Sequence, residues 1–391
     1  MGRRVGLEVS LACSEAVKLA NVDVIAAYPI TPQTHIVEHL SELTASGELD
    51  AEFVPVESEH SAMSACVGSA ASGARTFTST ASQGLALMHE ILFIASGLRL
   101  PIVMAVANRS LSAPISIWND HSDIMAERDV GWIQTFAENG QEVLDLTLHA
   151  FKVAEDKRVL LPMAVNMDGF TLTHVIEPIE MPDQSEVDAY LPPYVPQQRL
   201  DPANPISMGM VGVPEVYTEA RKACMTALED SYDVIKEHWD GFASQFGRQY
   251  NPIESYRAEG AEVLLVTMGS IGETCMTAVD EMRAEGLKVG QVRIRLWRPF
   301  PADDFIAAVS GAKALAVVDR ALQPGSQSGP VGTELKSLLY DRGLKLHVSN
   351  FVAGLSGRDV TRSDFRMMAG KAGAEAASGG AMTCEMVGVK E

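Results

Sequence analysis

The chain has 391 residues, 47% of them hydrophobic and 21% charged. That is enough for about two or three globular domains at ~150 residues each, and it excludes a disordered chain. Asp and Glu outnumber Lys and Arg 51 to 31, a formal charge of -20, so the surface repels phosphate backbones; nucleic-acid binding is excluded and a partner with a basic face is attracted.

The cysteines, Cys13, Cys66, Cys224, Cys275 and Cys384, are scattered with no C-x-x-C pair. This points to reduced thiols in the cytoplasm and argues against an iron–sulfur or zinc site within this chain. Arg3-Arg4 followed by Leu11-Ala12-Cys13 resembles a leader, but Glu8 interrupts any apolar core. No hydrophobic run reaches the ~18 residues of a membrane helix, so the expectation is an unprocessed, soluble protein.

Residues 7–20 read as a short helix and 22–27 as a buried strand. Next comes Tyr28-Pro29-Ile30-Thr31-Pro32-Gln33-Thr34, opening a helical pattern to about residue 46. Thr31 is the expected N-cap and Pro32 the first helical residue. A strand-to-helix turn of this kind presents a hydroxyl and free backbone donors to an anion, although most caps serve only their helix. Within that helix, His35-Ile36-Val37-Glu38-His39 matches the H-x-x-E-H pattern of inverted zinc peptidases. No third ligand stands at a matching spacing, so an ordinary helical face is preferred.

Strand and helix then alternate: strands at 51–56, 75–80, 100–107, 132–136 and 163–167, helices at 58–73, 82–97 and 141–155. This grammar predicts a parallel sheet covered on both faces, with ligands outside the carboxyl ends of its strands. Glu59 follows the strand 51–56, in the first turn of a helix capped by Ser58. Its commoner use is helix stabilisation, its sharper one sharing a proton with a heteroaromatic nitrogen. Arg109 ends the strand 100–107 and opens a long polar loop, 109–123, where it can hold a substrate carboxylate bidentately or form a surface ion pair. Thr31, Glu59 and Arg109 thus gather at strand ends, which favours a shared small-molecule site.

Between Pro178 and Pro214 stand eight prolines, read as an extended arm wrapping this domain or a partner, or as a simple linker. A helix at 215–246 follows. A second α/β unit has strands at 262–267, 289–295, 314–319 and 344–349 and helices at 271–285, 302–309 and 332–340. Met268-Gly269-Ser270-Ile271-Gly272 lacks the full G-x-G-x-x-G set and a Lys, so a tight turn is preferred to a phosphate cradle. The Ala/Gly-rich tail at 370–380 is expected to be loosely ordered. The domain expectation is 1–255, including the arm and helix at about 178–255, and 256–391.

The stretches YPITPQT (28–34), VESEHSA (56–62), TSTASQGLAL (78–87), NRSLSAPISIWNDHSD (108–123) and GRDVT (357–361) resemble, in order along nearly the whole chain, the alpha subunit of 2-oxoacid:ferredoxin oxidoreductases, most closely pyruvate:ferredoxin oxidoreductase. The resemblance implies an α/β fold of two parallel-sheet domains, a thiamine-diphosphate pyrimidine-binding domain followed by a transketolase C-terminal-like one. It implies that Glu59 bonds the pyrimidine N1′, that Pro29 and Ile30 line the cofactor, and that Thr31 and Arg109 hold the 2-oxoacid.

Diphosphate-binding chains of thiamine enzymes carry Gly-Asp-Gly and an Asn pair for magnesium. Neither is present, and Asp168-Gly169 is preceded by Met167. The resemblance therefore implies that the diphosphate, Mg2+ and [4Fe-4S] clusters come from a beta subunit and other chains, with gamma and ferredoxin-like delta subunits, ferredoxin and coenzyme A as partners. The implied reaction is attack of the thiamine carbanion on the 2-oxo carbon, loss of CO2, one-electron steps to clusters and ferredoxin, and acyl transfer to coenzyme A. The related 2-ketoisovalerate enzyme shares these motifs and is the alternative. Oxalate-processing relatives carry an arginine in place of Thr31 and are disfavoured, as is a non-catalytic scaffold, which has no need of the three site residues.

Overall fold

The computed structural model describes residues 2–380 and 384–390. The first unit runs β1 (Arg3–Glu8), α1 (Val9–Leu19), β2 (Val24–Ala27), α2 (Thr34–Ala45), β3 (Glu52–Pro55), α3 (Glu59–Ala71), β4 (Thr76–Thr80), α4 (Ser82–Gly97), β5 (Ile102–Asn108), α5 (Ser122–Ala126), β6 (Ile133–Phe136), α6 (Gly140–Ala154), β7 (Met163–Asp168), β8 (Ile176–Met181), α7 (Gln184–Tyr190) and the long α8 (Pro214–Phe246). The second has β9 (Ile253–Tyr256), β10 (Val263–Thr267), α9 (Ile271–Ala284), β11 (Val289–Ile294), β12 (Leu296–Arg298), α10 (Ala302–Val309), β13 (Ala314–Asp319), α11 (Pro330–Asp341), β14 (His347–Val352), α12 (Arg362–Ser378) and β15 (Cys384–Met386).

The larger sheet has seven strands in the order β12-β6-β7-β5-β4-β2-β3, and the second has six, β15-β14-β13-β10-β11-β9. Both are parallel except at one edge, where β12 runs antiparallel to β6 and β9 antiparallel to β11. Strands β4 to β7 are buried along their whole length, as expected of a sheet covered on both faces.

Two apolar layers cover the large sheet. One joins α1, α2, α6 and α8, with Phe151, Trp239 and Phe242 at its centre. The other continues from Met104 and Trp132 of the first unit into Trp297, Ile294 and Phe305 of the second. That shared layer explains why β12, encoded in the second unit, completes the sheet of the first: Leu296 and Trp297 are fully buried there.

Several expectations need correction. The helix foreseen from residue 7 is preceded by β1, which pairs antiparallel with β8, so the proline-rich stretch begins as a strand and continues as α7. Its irregular part lies along the first unit, where the Leu200 N–H donates to the Ala71 carbonyl at 2.8 Å and Arg75 to the Pro192 carbonyl at 2.7 Å. Most of the tail at 370–380 is helical. A capping box between Thr361 and Asp364 starts α12, and Phe365, Met368, Ala369 and Ala372 are buried, small residues there allowing close packing. No helix among the described residues is long and apolar enough to cross a membrane.

Candidate active site

The chain leaves β2 through α2 toward β3 on one side, and leaves β4 through α4 toward β5 on the other. The topological switch point therefore lies between β2 and β4, the place where open α/β sheets bind ligands. Pairing of these strands reaches only Val24 with Thr76 and Ile25 with Phe77, so their carboxyl ends part. Gln33, fully buried, spans the gap, its amide nitrogen donating to the carbonyls of Tyr28 at 2.9 Å and Ser79 at 3.0 Å.

Thr31 sits on the lip of this crevice. It is not the helix N-cap: residues 31–33 form a turn, and Gln33 occupies the cap position without a side-chain cap bond. With its side chain demanded by Tyr28 and Ser79, Gln33 cannot serve α2, and Thr31 is released to solvent. Pro29 is exposed and Ile30 half-buried beside it.

Ser58 does cap α3, accepting from the Ser61 N–H at 3.2 Å, and Glu59 stands in the first turn. Glu59 is only 7% exposed. A Cβ built on Gly84 would lie 2.6 Å from both Glu59 Oε1 and Thr80 Oγ1. Only glycine at 84 lets the α3 carboxylate lie against the β4–α4 turn. The Thr80 hydroxyl beside it is buried without a hydrogen-bond partner among the described residues, a polar group left free at the end of β4.

Arg109, at the end of β5, reaches toward the same lip. Its Nε donates to the Ser116 carbonyl at 2.6 Å and its Nη1 to the Thr31 carbonyl at 2.9 Å. Burial lowers its pKa from the ordinary arginine value, yet guanidinium stays charged in proteins. The structure thus brings Arg109 onto Thr31 directly, and places Glu59 at the same end of the sheet through Gly84 and β4.

The second unit grips the loop at 109–123. The Gly357 N–H donates to the Asn119 carbonyl at 2.5 Å, the His121 N–H to the Arg320 carbonyl at 2.7 Å, and the Ser356 N–H to Asp120 Oδ2 at 3.2 Å. The GRDVT stretch is therefore a support for the loop carrying Arg109. Beneath it Asp168, buried at the end of β7, faces His121 Nε2 at 2.9 Å, the Ser270 N–H at 2.9 Å and Arg320 Nη1 at 2.6 Å. Burial pushes this carboxyl up, but the charges of Arg320 and His121 outweigh it and hold it well below the usual carboxylate range.

The turn at 268–272 is accordingly filled by the Asp168 carboxylate. The H-x-x-E-H pattern also resolves into separate pairs: His35 Nδ1 lies 2.6 Å from Glu8 and His39 Nε2 2.9 Å from Glu15. Sequence reading missed Gln33, Thr80, Gly84 and the Asp168 cluster; glycine two residues after Ser82 in the SQG stretch was the one visible signal.

Residues 15–239 match the family model described as pyruvate flavodoxin/ferredoxin oxidoreductase, thiamine diphosphate binding, and residues 261–365 that of pyruvate:ferredoxin oxidoreductase core domain II. The chain is 52% identical to pyruvate synthase subunit PorA of Methanocaldococcus jannaschii over 91% of both chains, and 52% identical to that of Pyrococcus furiosus over 91% of this chain and 90% of the other. It is 45% identical to the ketoisovalerate oxidoreductase subunit VorA of Pyrococcus abyssi over 92% and 90%.

In fold it is similar to the 2-oxoglutarate:ferredoxin oxidoreductase of Magnetococcus marinus, with TM-score 0.71 and 19% identity over 95% of this chain and 65% of that one. It is also similar to a split-gene transketolase, with TM-score 0.57 and 12% identity over 95% and 99%. The chain belongs to the pyruvate flavodoxin/ferredoxin oxidoreductase family.

Proposed function

We propose that this chain is the alpha subunit of a multisubunit pyruvate:ferredoxin oxidoreductase, converting pyruvate and coenzyme A to acetyl-CoA and CO2 with electrons passed to ferredoxin in the cytoplasm. The observation that carries this reading is the Glu59 carboxylate, held against Gly84 at the switch point, at the same end of the sheet as the Arg109–Thr31 contact. A carboxylate held at the carboxyl ends of these strands suits a ring nitrogen of thiamine diphosphate. Bound there, that cofactor supplies a nucleophilic carbon for the 2-oxo group and a sink for the electron pair left when CO2 departs.

Glu59 would accept a hydrogen bond from, and hold a proton at, the pyrimidine N1′ of that cofactor. Thr31 offers its exposed hydroxyl to the 2-oxoacid. Arg109, fixed by two backbone carbonyls, turns its remaining N–H groups to the substrate carboxylate and holds it for departure. Pro29 and Ile30, beside Thr31 on the lip, would line the ring.

The beta subunit brings the diphosphate site, Mg2+ and iron–sulfur clusters, and gamma and delta subunits complete the electron path. This division is supported by the engagement of Asp168: with Arg320, Ser270 and His121 on its oxygens, it has no capacity for a magnesium ion. Pyruvate is preferred to 2-ketoisovalerate because the PorA subunits of Methanocaldococcus jannaschii and Pyrococcus furiosus, at 52% identity, are closer in sequence than VorA at 45%. The test is to purify the assembled complex and assay coenzyme-A-dependent ferredoxin reduction with a panel of 2-oxoacids. The highest kcat/KM is expected with pyruvate; preference for the branched-chain acid would replace the substrate assignment.

A further inference from the structure

Asp123 is fully buried at the start of α5 and touches neither the crevice nor solvent. Its Oδ2 accepts the backbone N–H of Arg109 at 2.9 Å and of Ser82 at 3.0 Å. Its Oδ1 accepts the Ile124 N–H at 2.8 Å and Asn108 Nδ2 at 3.1 Å. All four partners are donors, so an acceptor-only carboxylate is needed. An asparagine there would turn an NH2 group against at least one of them in either orientation.

Two of these donors belong to opposite sides of the site. Arg109 opens the loop that carries the guanidinium, whereas Ser82 begins the turn leading to Gly84 and hence to Glu59. Ser82 has φ of 49°, a left-handed conformation that a non-glycine residue adopts only when its surroundings hold it. The Asp123 bond and the Ser82 hydroxyl, which donates to the Ser110 carbonyl at 2.7 Å, provide that hold. One restraint comes from the first turn of α5 and the other from the β5–α5 loop.

We propose that Asp123 is a positioning residue: by gathering these four donors it fixes the Arg109 backbone against the Ser82 turn and so aims the guanidinium at the substrate carboxylate. Burial raises its pKa to about 6 and the four donors oppose that rise, a balance that suits a carboxylate retained for its hydrogen bonds. The inference rests on the role given to Arg109 above.

The test uses the assembled complex carrying Asp123→Asn, Arg109→Gln or both, with KM for pyruvate and for coenzyme A measured separately. Displacement of the guanidinium by about 1 Å lowers kcat/KM for pyruvate by about 10²-fold. Asp123→Asn is expected to raise the pyruvate KM and leave the coenzyme A KM unchanged. In the Arg109→Gln background it is expected to add less than about twofold, since the group it positions is gone.

A merely structural loss would lower the active fraction without moving either KM, and would multiply independently with Arg109→Gln. Either result overturns the proposal. Where Asp123→Asn fails to assemble, Asn108→Ala removes one donor and keeps the backbone ones; a rise of about threefold in pyruvate KM is expected, and an unchanged KM refutes the positioning role. If Arg109→Gln alone leaves the pyruvate KM unchanged, the substrate role of Arg109 is wrong and this inference falls with it. A raised KM in Arg109→Gln with wild-type values in Asp123→Asn would refute the positioning role alone.

Discussion

The backbone N–H of Ser270 donates to Asp168 Oδ2 at 2.9 Å, so the turn that opens α9 in the second unit closes around a carboxylate from the first. Arg320 adds a guanidinium to the same oxygen and His121 faces the other. Removing Asp168 by substitution with Ala leaves a buried arginine uncompensated. A loss of about 3–5 kcal/mol is expected, measurable as a lowered urea midpoint of the purified protein. Stability within ~1 kcal/mol of wild type would show that the two units dock without this cluster.

Gly84 is where the two sides of the crevice press closest. Gly84→Ala would place a methyl 2.6 Å from Glu59 Oε1 and Thr80 Oγ1, displacing the carboxylate or the α4 turn. Overpacking of this kind costs about 1–3 kcal/mol, while misplacing the carboxylate lowers kcat by about 10²-fold. Steady-state kinetics on complex confirmed as assembled separates the two effects. Unaltered kcat would mean that Glu59 does not need its present position.

Gln33 has another duty, bridging Tyr28 and Ser79 where their strands separate. Gln33→Leu keeps the volume but leaves both carbonyls without this donor, at about 1–3 kcal/mol for the buried Ser79 carbonyl. A lower thermal midpoint is expected, together with faster amide hydrogen exchange at the ends of β2 and β4. Unchanged exchange there would show that water replaces the amide without cost.

His149 gives the fold a defined acid sensitivity. It stacks on Trp239, ring centroids 5.1 Å apart, and burial, with His238 nearby, depresses its pKa to about 3. Unfolded, the imidazole takes a proton near pH 6.5. The stability it contributes is therefore complete above pH 6.5 and is lost as pH falls toward 3, on the order of 4 kcal/mol across that window. His149→Phe removes the titration and keeps an aromatic stack, so its thermal midpoint should fall less than that of wild type between pH 6.5 and 4. Parallel pH profiles would assign the acid sensitivity elsewhere.

The alternation of strands and helices was legible because period and length differ so clearly between them, and Glu59 and Arg109 could be singled out by their positions just after apolar runs. Thr31 was placed correctly at a strand end but given the wrong local role, since nothing local announces that Gln33 is claimed by Ser79, 46 residues away. The joining of β12 to the first sheet was hidden for the same reason: its three residues carry no period, and Trp297 belongs there because of the apolar layer it meets. The tail at 370–380 looked loose because Ala and Gly have little apolar surface, yet those small residues are what allow α12 to lie close against its sheet. The phosphate-like turn at 268–272 was a true anion site whose anion, Asp168, lies in the other unit.

The most direct measurement is pyruvate decarboxylation by the assembled complex carrying Glu59→Gln, with assembly checked by co-purification of all subunits. Loss of the N1′ partner is expected to lower kcat by about 10²–10⁴-fold while the complex still assembles. Near-wild-type turnover in a fully assembled Glu59→Gln complex would contradict the placement of the thiamine ring against this carboxylate.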